Sequence, residues 1–346
     1  MSRIYLDHNA TTPLRVEARA AMVAAMDVIG NPSSVHAEGR AAKSLVEAAR
    51  AQVARAMGAV EADIVFVSSA TEAAALACAG RELVAAPVEH DAVGAWVEDR
   101  LSVDRRGTVV LDEPAASALQ MANSETGVMQ DVPMGTAVCD MTQALGKVAV
   151  DFDASGIDMA LISAHKLGGP KGVGALVIRR GLDVTPALRG GGQEMGRRSG
   201  TENIVGIAGF GAAAAAAQAD VEAGAWAKIE KLRNILECAL EAASNTTIFI
   251  GKEAHRLPNT TCFATPGWKG ETQVMQMDLA GFAISAGSAC SSGKVKASKV
   301  LTAMGFEDVA GHAIRVSLGL ETTEQDVLRF ADAWTQKLKK HEARAA

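Results

Sequence analysis

The sequence predicts an α/β protein with a mainly parallel central sheet and a smaller α+β part at its C-terminal end. Three observations predict it. From residue 37 to residue 180, short apolar runs alternate with segments of helical period, and Gly-rich turns separate them, as strands joined by crossover helices do. Residues 201–243 are then helical in pattern, and residues 246–340 mix strand-like runs with a polar loop and a terminal helix. Hydrophobic residues make up 49% of the 346 and charged residues 21%. That is the balance of a folded chain rather than a disordered one, and the length suits two domains.

Taken in order, residues 37–57 (AEGRAAKSLVEAARAQVARAM) read as an amphipathic helix and ADIVFVS (62–68) as a strand. SATEAAALACAG (69–80) reads as a helix opened by Ser69, with Glu72 three residues on at capping-box spacing. Strands are expected near 82–86, 108–111, 118–122, 136–139, 159–163 and 174–179. Residues 201–243 are expected to form one long helix linking two domains, and 323–342 a final helix. The longest apolar run, Ile204 to Ala217, is fourteen residues of mostly Ala and Gly. It falls short of the roughly 18 needed to cross a bilayer and reads as a buried helix.

Charge and cysteine usage exclude several classes. The formal charge is −6 and aromatics are 4%. Domains that grip a phosphate backbone are usually basic, and single-stranded nucleic acid needs stacking platforms, so no nucleic-acid partner is expected. The start, MSRIYLDHNATTP, lacks the apolar core of a signal segment. No membrane partner is expected, and the location is read as cytoplasmic. The five cysteines are odd in number and form no CxxC pair, which speaks against a disulfide framework or a zinc knuckle. Cys78, Cys139, Cys238 and Cys262 read as core residues.

In such a sheet, ligands bind beyond the carboxyl ends of the strands, so the polar residues there are the candidates for chemistry. In SAHKLGGPKGVGALVIRR (163–180), Lys166 follows an apolar strand between Ser163 and a Gly-rich turn. A partly buried lysine is nucleophilic and can form a Schiff base; a solvated loop lysine is the plainer alternative. In VCDMTQALGK (138–147), Asp140 ends a strand, where it is either a helix cap or a partner for a pyridine nitrogen. In FVSSATEA (66–73), a strand runs into a helix N-terminus, which suits a phosphate and equally suits a simple cap. In SAGSACSSGKVKASK (285–299), Cys290 lies among small residues with Lys294, Lys296 and Lys299 close behind, a setting that favours thiolate. In HAIRVSLG (312–319), Arg315 offers either a fork for a carboxylate or a structural ion pair.

At these residues the chain resembles the cysteine desulfurases of nitrogenase and iron–sulfur cluster assembly, within the class-V aminotransferases. The matching motifs are YLDHNATTP (5–13), GNPSSVHAEGR (30–40), SSATEA (68–73), EHDAV (89–93), ANSETG (122–127), DMTQALGK (140–147), SAHKLGGPKGVGAL (163–176), RRSGTEN (197–203), GSACSSG (287–293) and IRVSLG (314–319). They fall in the family's order over nearly the whole chain. The resemblance implies pyridoxal 5′-phosphate (PLP) fold type I. It implies a large PLP-binding domain over 14–232 and a small domain of 1–13 and 233–346 carrying Cys290.

It also implies roles. Lys166 matches the lysine that holds PLP covalently, Asp140 the pyridine-nitrogen partner, Gln143 the contact to the ring hydroxyl and His90 the residue stacked on the ring. Ala70, Thr71, Ser163 and His165 match the phosphate cradle, and Thr201 a threonine that reaches the phosphate of the second subunit of a homodimer. Arg315 matches the residue that binds the carboxylate of L-cysteine, and Cys290 the one that becomes a persulfide before passing sulfur to an acceptor or iron–sulfur scaffold protein. Two departures stand out. Ser124 replaces the second Asn of the family's Asn-Asn-Glu, a cofactor or substrate contact, and the stretch between His90 and Asp140 is compact. The implied activity is removal of sulfur from L-cysteine to give L-alanine; another class-V enzyme, such as an aminotransferase or selenocysteine lyase, or a non-catalytic scaffold, are the alternatives.

Overall fold

The computed structural model describes residues 3–287 and 297–345. The chain opens with β1 (Ile4–Tyr5), α1 (Val16–Met26) and α2 (Ala37–Ala56), followed by β2 (Ala62–Val67), α3 (Ala70–Cys78), β3 (Val84–Ala85), α4 (Asp91–Gly94) and β4 (Glu98–Asp99). Next come β5 (Ala118–Gln120), β6 (Val138–Asp140), α5 (Phe152–Ser155), β7 (Met159–Ser163) and β8 (Gly174–Arg179). Helices α6 (Ile204–Glu222) and α7 (Trp226–Ala243) lead to β9 (Ile248–Ile250), β10 (Thr260–Ala264), α8 (Gly270–Leu279), β11 (Phe282–Ala283) and β12 (Ser285–Ala286). Then α9 (Lys299–Ala303), β13 (Ala313–Ser317) and α10 (Glu324–Ala345) complete the order.

The central sheet has the order β2-β8-β7-β6-β5. Strands β5, β6 and β7 are parallel, and β8 alone runs against its neighbours β7 and β2. A bridge from Val84 to Ser117 brings the β3–β4 pair to the β5 edge. The pleat sorts alternate residues to two faces. Ile64, Phe66, Ala160, Ile162, Ala175 and Val177 meet the helix layer of α1, α2 and α6. Val65, Val67, Met159, Leu161, Leu176 and Ile178 meet α3. Because both faces are covered, these strands read as unbroken apolar runs.

A second core forms on an antiparallel sheet, β12-β13-β10-β9. It gathers Ile4, Leu6, Ile229, Leu232, Leu236, Leu240, Phe263, Ile314, Phe330 and Trp334, with Phe263 and Trp334 in edge-to-face contact at 5.5 Å. The 232/233 division lies inside α7, whose Ile229, Leu232, Leu236 and Leu240 all belong to this core. The N-terminus is stitched to it: β1 pairs with β11, and Asp7 bridges to Ser317.

Three expectations need correction. The single helix over 201–243 is two, because Gly224 takes φ +69° and closes α6 in a Schellman motif. Gly224 N donates to Val221 O and Ala225 N to Asp220 O. The strand expected at 108–111 reduces to one bridge, Val103 to Val109. There Asp104 Oδ1 accepts from Arg106 N and Thr108 N and folds a tight turn, while Val109 N is taken by Gln130 Oε1. Cys238 is exposed on α7, unlike Cys78, Cys139 and Cys262. Helix α6 is apolar and long enough to cross a membrane by length and composition, yet it buries Ile207, Phe210, Ala213 and Ala217 against α1 and α2.

Candidate active site

Gln120, Asp140 and Ser163 end β5, β6 and β7 side by side at the carboxyl edge of the central sheet. Gly174 starts β8 opposite Ser163 and packs on the start of α3: a Cβ there would lie 2.9 Å from the Ser69 carbonyl carbon and 3.1 Å from Ala70 N. Only glycine allows that approach. It sets the first turn of α3 against the buried Ser163. The N–H groups of Ala70 and Thr71 open that turn, where a helix cannot bond its own donors. Ser69 Oγ accepts from Glu72 N at 3.4 Å, as expected of the cap. The Glu72 carboxylate does not return to Ser69; it accepts from Ser68 N at 2.7 Å and pairs with Arg198.

Lys166 ends a short 3-10 turn directly after β7. Its Nζ donates to Asn9 O at 2.6 Å and Ala10 O at 3.0 Å. Gln143 Nε2 donates to the same Asn9 oxygen at 2.9 Å. Asn9 Nδ2 reaches Ser124 O at 3.2 Å, and Arg315 Nη1 donates to that carbonyl at 3.0 Å. Four of the residues singled out in the sequence, Lys166, Gln143, Ser124 and Arg315, are thus joined through Asn9, a buried residue from the N-terminal segment. The bond to Arg315 uses the main chain of Ser124, so serine in place of asparagine leaves it intact.

Asp140 Oδ1 accepts from Thr142 N at 2.8 Å, which fixes the direction of the carboxylate. His90 caps α4, its Nδ1 accepting from Ala92 N at 3.1 Å, so the neutral ring carries its proton on Nε2. The preceding Glu89 is buried; its Oε1 accepts from Gln120 N, the residue in register with Asp140. Burial pushes the Glu89 carboxyl up to about 8, and the Asp140 charge adds to it. A neutral Glu89 leaves Asp140 without a second anion behind it. His165 Nδ1 bonds Thr11 Oγ1 at 3.1 Å. Burial, then the Lys166, Lys171 and Lys147 charges, bring its pKa down to about 4, so it is a neutral ring at pH 7.

Arg315 on β13 is buried, and its Nη2 pairs with Asp7 Oδ1 at 2.7 Å. Ser285 Oγ donates to the other Asp7 oxygen at 2.8 Å. Arg315 Nε is buried with no hydrogen-bond partner among the described residues. The ion-pair reading of this residue is realised, and Nε stands beside it as an unused buried donor. Next to it, buried Glu125 accepts from Ser298 Oγ at 2.6 Å, and its burial pushes the carboxyl up to about 7.

Cys290 lies outside the described residues, as do Lys294 and Lys296. Lys299 pairs with Asp91 at 2.7 Å. Burial pushes the thiols of Cys78 and Cys262 up to about 12 and raises that of Cys139 well above the ordinary range, so none of these three is a thiolate at pH 7. Thr201 is exposed and shares with Ser68, Glu194 and Arg198 a cavity that Lys166 does not line. The sequence reading assigned no role to Asp7, Asn9, Glu89, Glu125 or Lys147. Each is a polar residue buried, or nearly so, inside a motif already noted, and a charged or amide side chain within an otherwise apolar turn was the available signal.

A model of the class-V aminotransferase family matches residues 4–330. A cysteine desulfurase of Enterobacter agglomerans is 39% identical over 364 aligned positions, covering 94% of this chain and 90% of that protein. Cysteine desulfurase IscS of Dictyoglomus turgidum is 35% identical over 361 positions, covering 94% and 91%. Among solved structures, a NifS-like protein of Rickettsia africae superposes with a TM-score of 0.89 at 33% identity, covering 97% of this chain and 99% of that one.

Proposed function

The chain belongs to the class-V aminotransferase family and is a cysteine desulfurase within it; from that premise we propose how its own residues carry the reaction. The fold is PLP fold type I, and the family is PLP-dependent. The observation that supports the assignment best is the junction at Asn9, where one carbonyl receives both Lys166 and Gln143 while its amide leads through Ser124 to Arg315.

The residues fit that cofactor. Lys166 offers an amine at a strand end, Asp140 a fixed carboxylate for the pyridine nitrogen, and Gln143 a donor for the ring hydroxyl. His90 would hold the face of the ring. The N–H groups of Ala70 and Thr71, with Ser163 and His165, suit a phosphate. When bound, PLP supplies an electron sink for the carbanion at the substrate Cα. Thr201 of a second copy completes the phosphate site in a homodimer. Exposed Val16, Val23, Met26, Ile29 and Val35 support an apolar contact face on α1 and the segment after it.

In the reaction, Arg315 grips the carboxylate of L-cysteine, using the Nε donor that the Asp7 pair leaves over. Lys166 Nζ takes the proton from Cα. His90 Nε2 holds or gives a proton near the substrate thiol. The Cys290 thiolate attacks the substrate sulfur: an S–S bond forms, the C–S bond breaks, and the carbon takes a proton to become L-alanine. The Cys290 persulfide then passes its outer sulfur to an acceptor, which we take to be an iron–sulfur scaffold protein. The raised pKa values of the three buried thiols favour Cys290 over them for this role. The test is release of L-alanine and sulfide from L-cysteine by the purified protein, with and without reductant. Alanine formed in step with sulfide supports the reading. Transamination of cysteine without sulfide refutes it.

A further inference from the structure

Lys147 sits in the turn that follows Asp140 and is 4% exposed. Its Nζ donates to two oxygens of one residue, Gln143 O at 2.9 Å and Gln143 Oε1 at 2.8 Å. Its stem lines a cleft between the two cores, together with Val148, Trp226, Glu230, Arg233 and Arg256. A lysine on such a wall ordinarily extends its charged head outward, and a carboxylate, Glu230, stands in the same cleft. The head turns inward instead. The turn is held for this by the indole of Trp226, whose Nε1 donates to Gly146 O at 2.7 Å.

We infer that Lys147 is a positioning residue of the cofactor site, acting by fixing which end of the Gln143 amide faces inward. An ammonium donates and cannot accept. In its charged form Lys147 therefore requires Oε1 to face it, in keeping with the Asn9 carbonyl, which can only accept and takes Nε2 on the other side, where Lys166 also reaches. Without Lys147, Oε1 is a buried acceptor with that partner gone, and the side chain leaves this rotamer to find another. Burial, then the charges of Lys166 and Arg315, lower the Lys147 pKa to about 7. Methionine removes an unpaired buried charge together with its two hydrogen bonds to Gln143, and because these effects oppose each other the apoprotein is expected to be about as stable. The inference rests on the reading of Gln143 as a donor to PLP.

The experiment compares wild type with Lys147→Met, Gln143→Ala and the double variant. The readouts are the dissociation constant for PLP, taken from its visible band, the position of that band, and the unfolding midpoint of the apoprotein. Lys147→Met is expected to weaken PLP binding about tenfold, the worth of one buried hydrogen bond, and to move the band, with the apo midpoint about unchanged. The double variant is expected to bind no worse than Gln143→Ala, because coupled residues do not add. Lys147→Gln, whose amide still donates to Oε1, is expected to stay within about threefold of wild type. Wild-type affinity in Lys147→Met, fully additive losses in the double variant, or equal losses in the Met and Gln variants overturn the inference. A wild type that binds no PLP overturns the functional reading and this inference together, whereas a binding wild type with an unaffected Lys147→Met overturns this inference alone.

Discussion

Replacing Arg315 by methionine removes a guanidinium that the structure uses twice. Its Nη2 is paired with Asp7 at 2.7 Å, with side-chain exposures of 6% and 16%, and its Nε is the donor assigned to the substrate carboxylate. The two uses separate in magnitude and in remedy. Breaking a buried ion pair from one side leaves an unpaired charge and costs about 3–5 kcal/mol. Here Asp7 keeps only its Ser285 side-chain bond among the described residues. Losing a hydrogen bond to a charged group costs about 1.5–3 kcal/mol, which is roughly 10- to 150-fold in cysteine affinity. Arg315→Met is therefore expected to lower the apoprotein's stability in urea and to raise the KM for L-cysteine. Adding Asp7→Asn removes the stranded charge and restores most of the stability, but no carboxylate donor returns. Urea unfolding and a cysteine titration, run on both variants, read the two effects independently. Recovery of wild-type cysteine affinity in the double variant would show that Arg315 is only the partner of Asp7.

Lys166→Ala is expected to abolish covalent retention of PLP, and borohydride reduction of the wild type should tag Lys166; a tag on Lys171 would relocate the anchor. Cys290→Ser should still change the cofactor spectrum on adding L-cysteine, because Lys166, Asp140 and Arg315 are untouched, yet lose sulfide and alanine release; persulfide mapped to exposed Cys238 with activity retained would reassign the acceptor. Glu125 has its carboxyl raised to about 7 from an ordinary 4.5, so between those values the folded state holds a proton that the unfolded chain has lost. Stability then falls as pH rises through that window. Glu125→Gln keeps an acceptor for Ser298, so it is expected to flatten this slope and to exceed wild type above pH 7 by on the order of 2–3 kcal/mol. Parallel apoprotein stability curves from pH 5 to pH 8 would exclude it.

Strands β7 and β8 fall on the residues the sequence indicated, because strands covered on both faces are apolar throughout and bounded by Gly-rich turns. The break between α6 and α7 was hidden, since Ala223, Gly224 and Ala225 differ from their alanine-rich surroundings by a single glycine whose φ only the Schellman geometry reveals. The segment at 108–111 has strand composition, but its hydrogen bonds go to a side chain. At the site, Lys166 and Asp140 were legible because reactive groups at strand ends stand out against apolar neighbours, and Arg315 because a charge in the middle of an apolar strand does the same. Asn9 was not, since its contribution to Lys166 is a main-chain carbonyl, which every residue has. Lys147 was not, since nothing in its spacing tells an inward lysine from an outward one. Cys238 was misjudged because α7 is amphipathic and one step around the helix separates core from solvent.

The stitch made by the N-terminal segment has a consequence for synthesis. Asn9 takes a bond from Lys166 on one side and, on the other, donates its own N–H to Ser317 Oγ, 308 residues away. Its amide donates to Thr260 Oγ1, and β1 waits for Phe282 and Ala283. The central sheet is complete in sequence by Arg179 and can form while the chain is still leaving the ribosome. Closing so long a loop adds little to the entropic cost, which grows only with the logarithm of its length, but the partner must first exist. Residues 4–9, translated before the sheet, are therefore among the last to be seated, and a nascent chain carries Lys166 on a finished sheet with its pocket still open on one side.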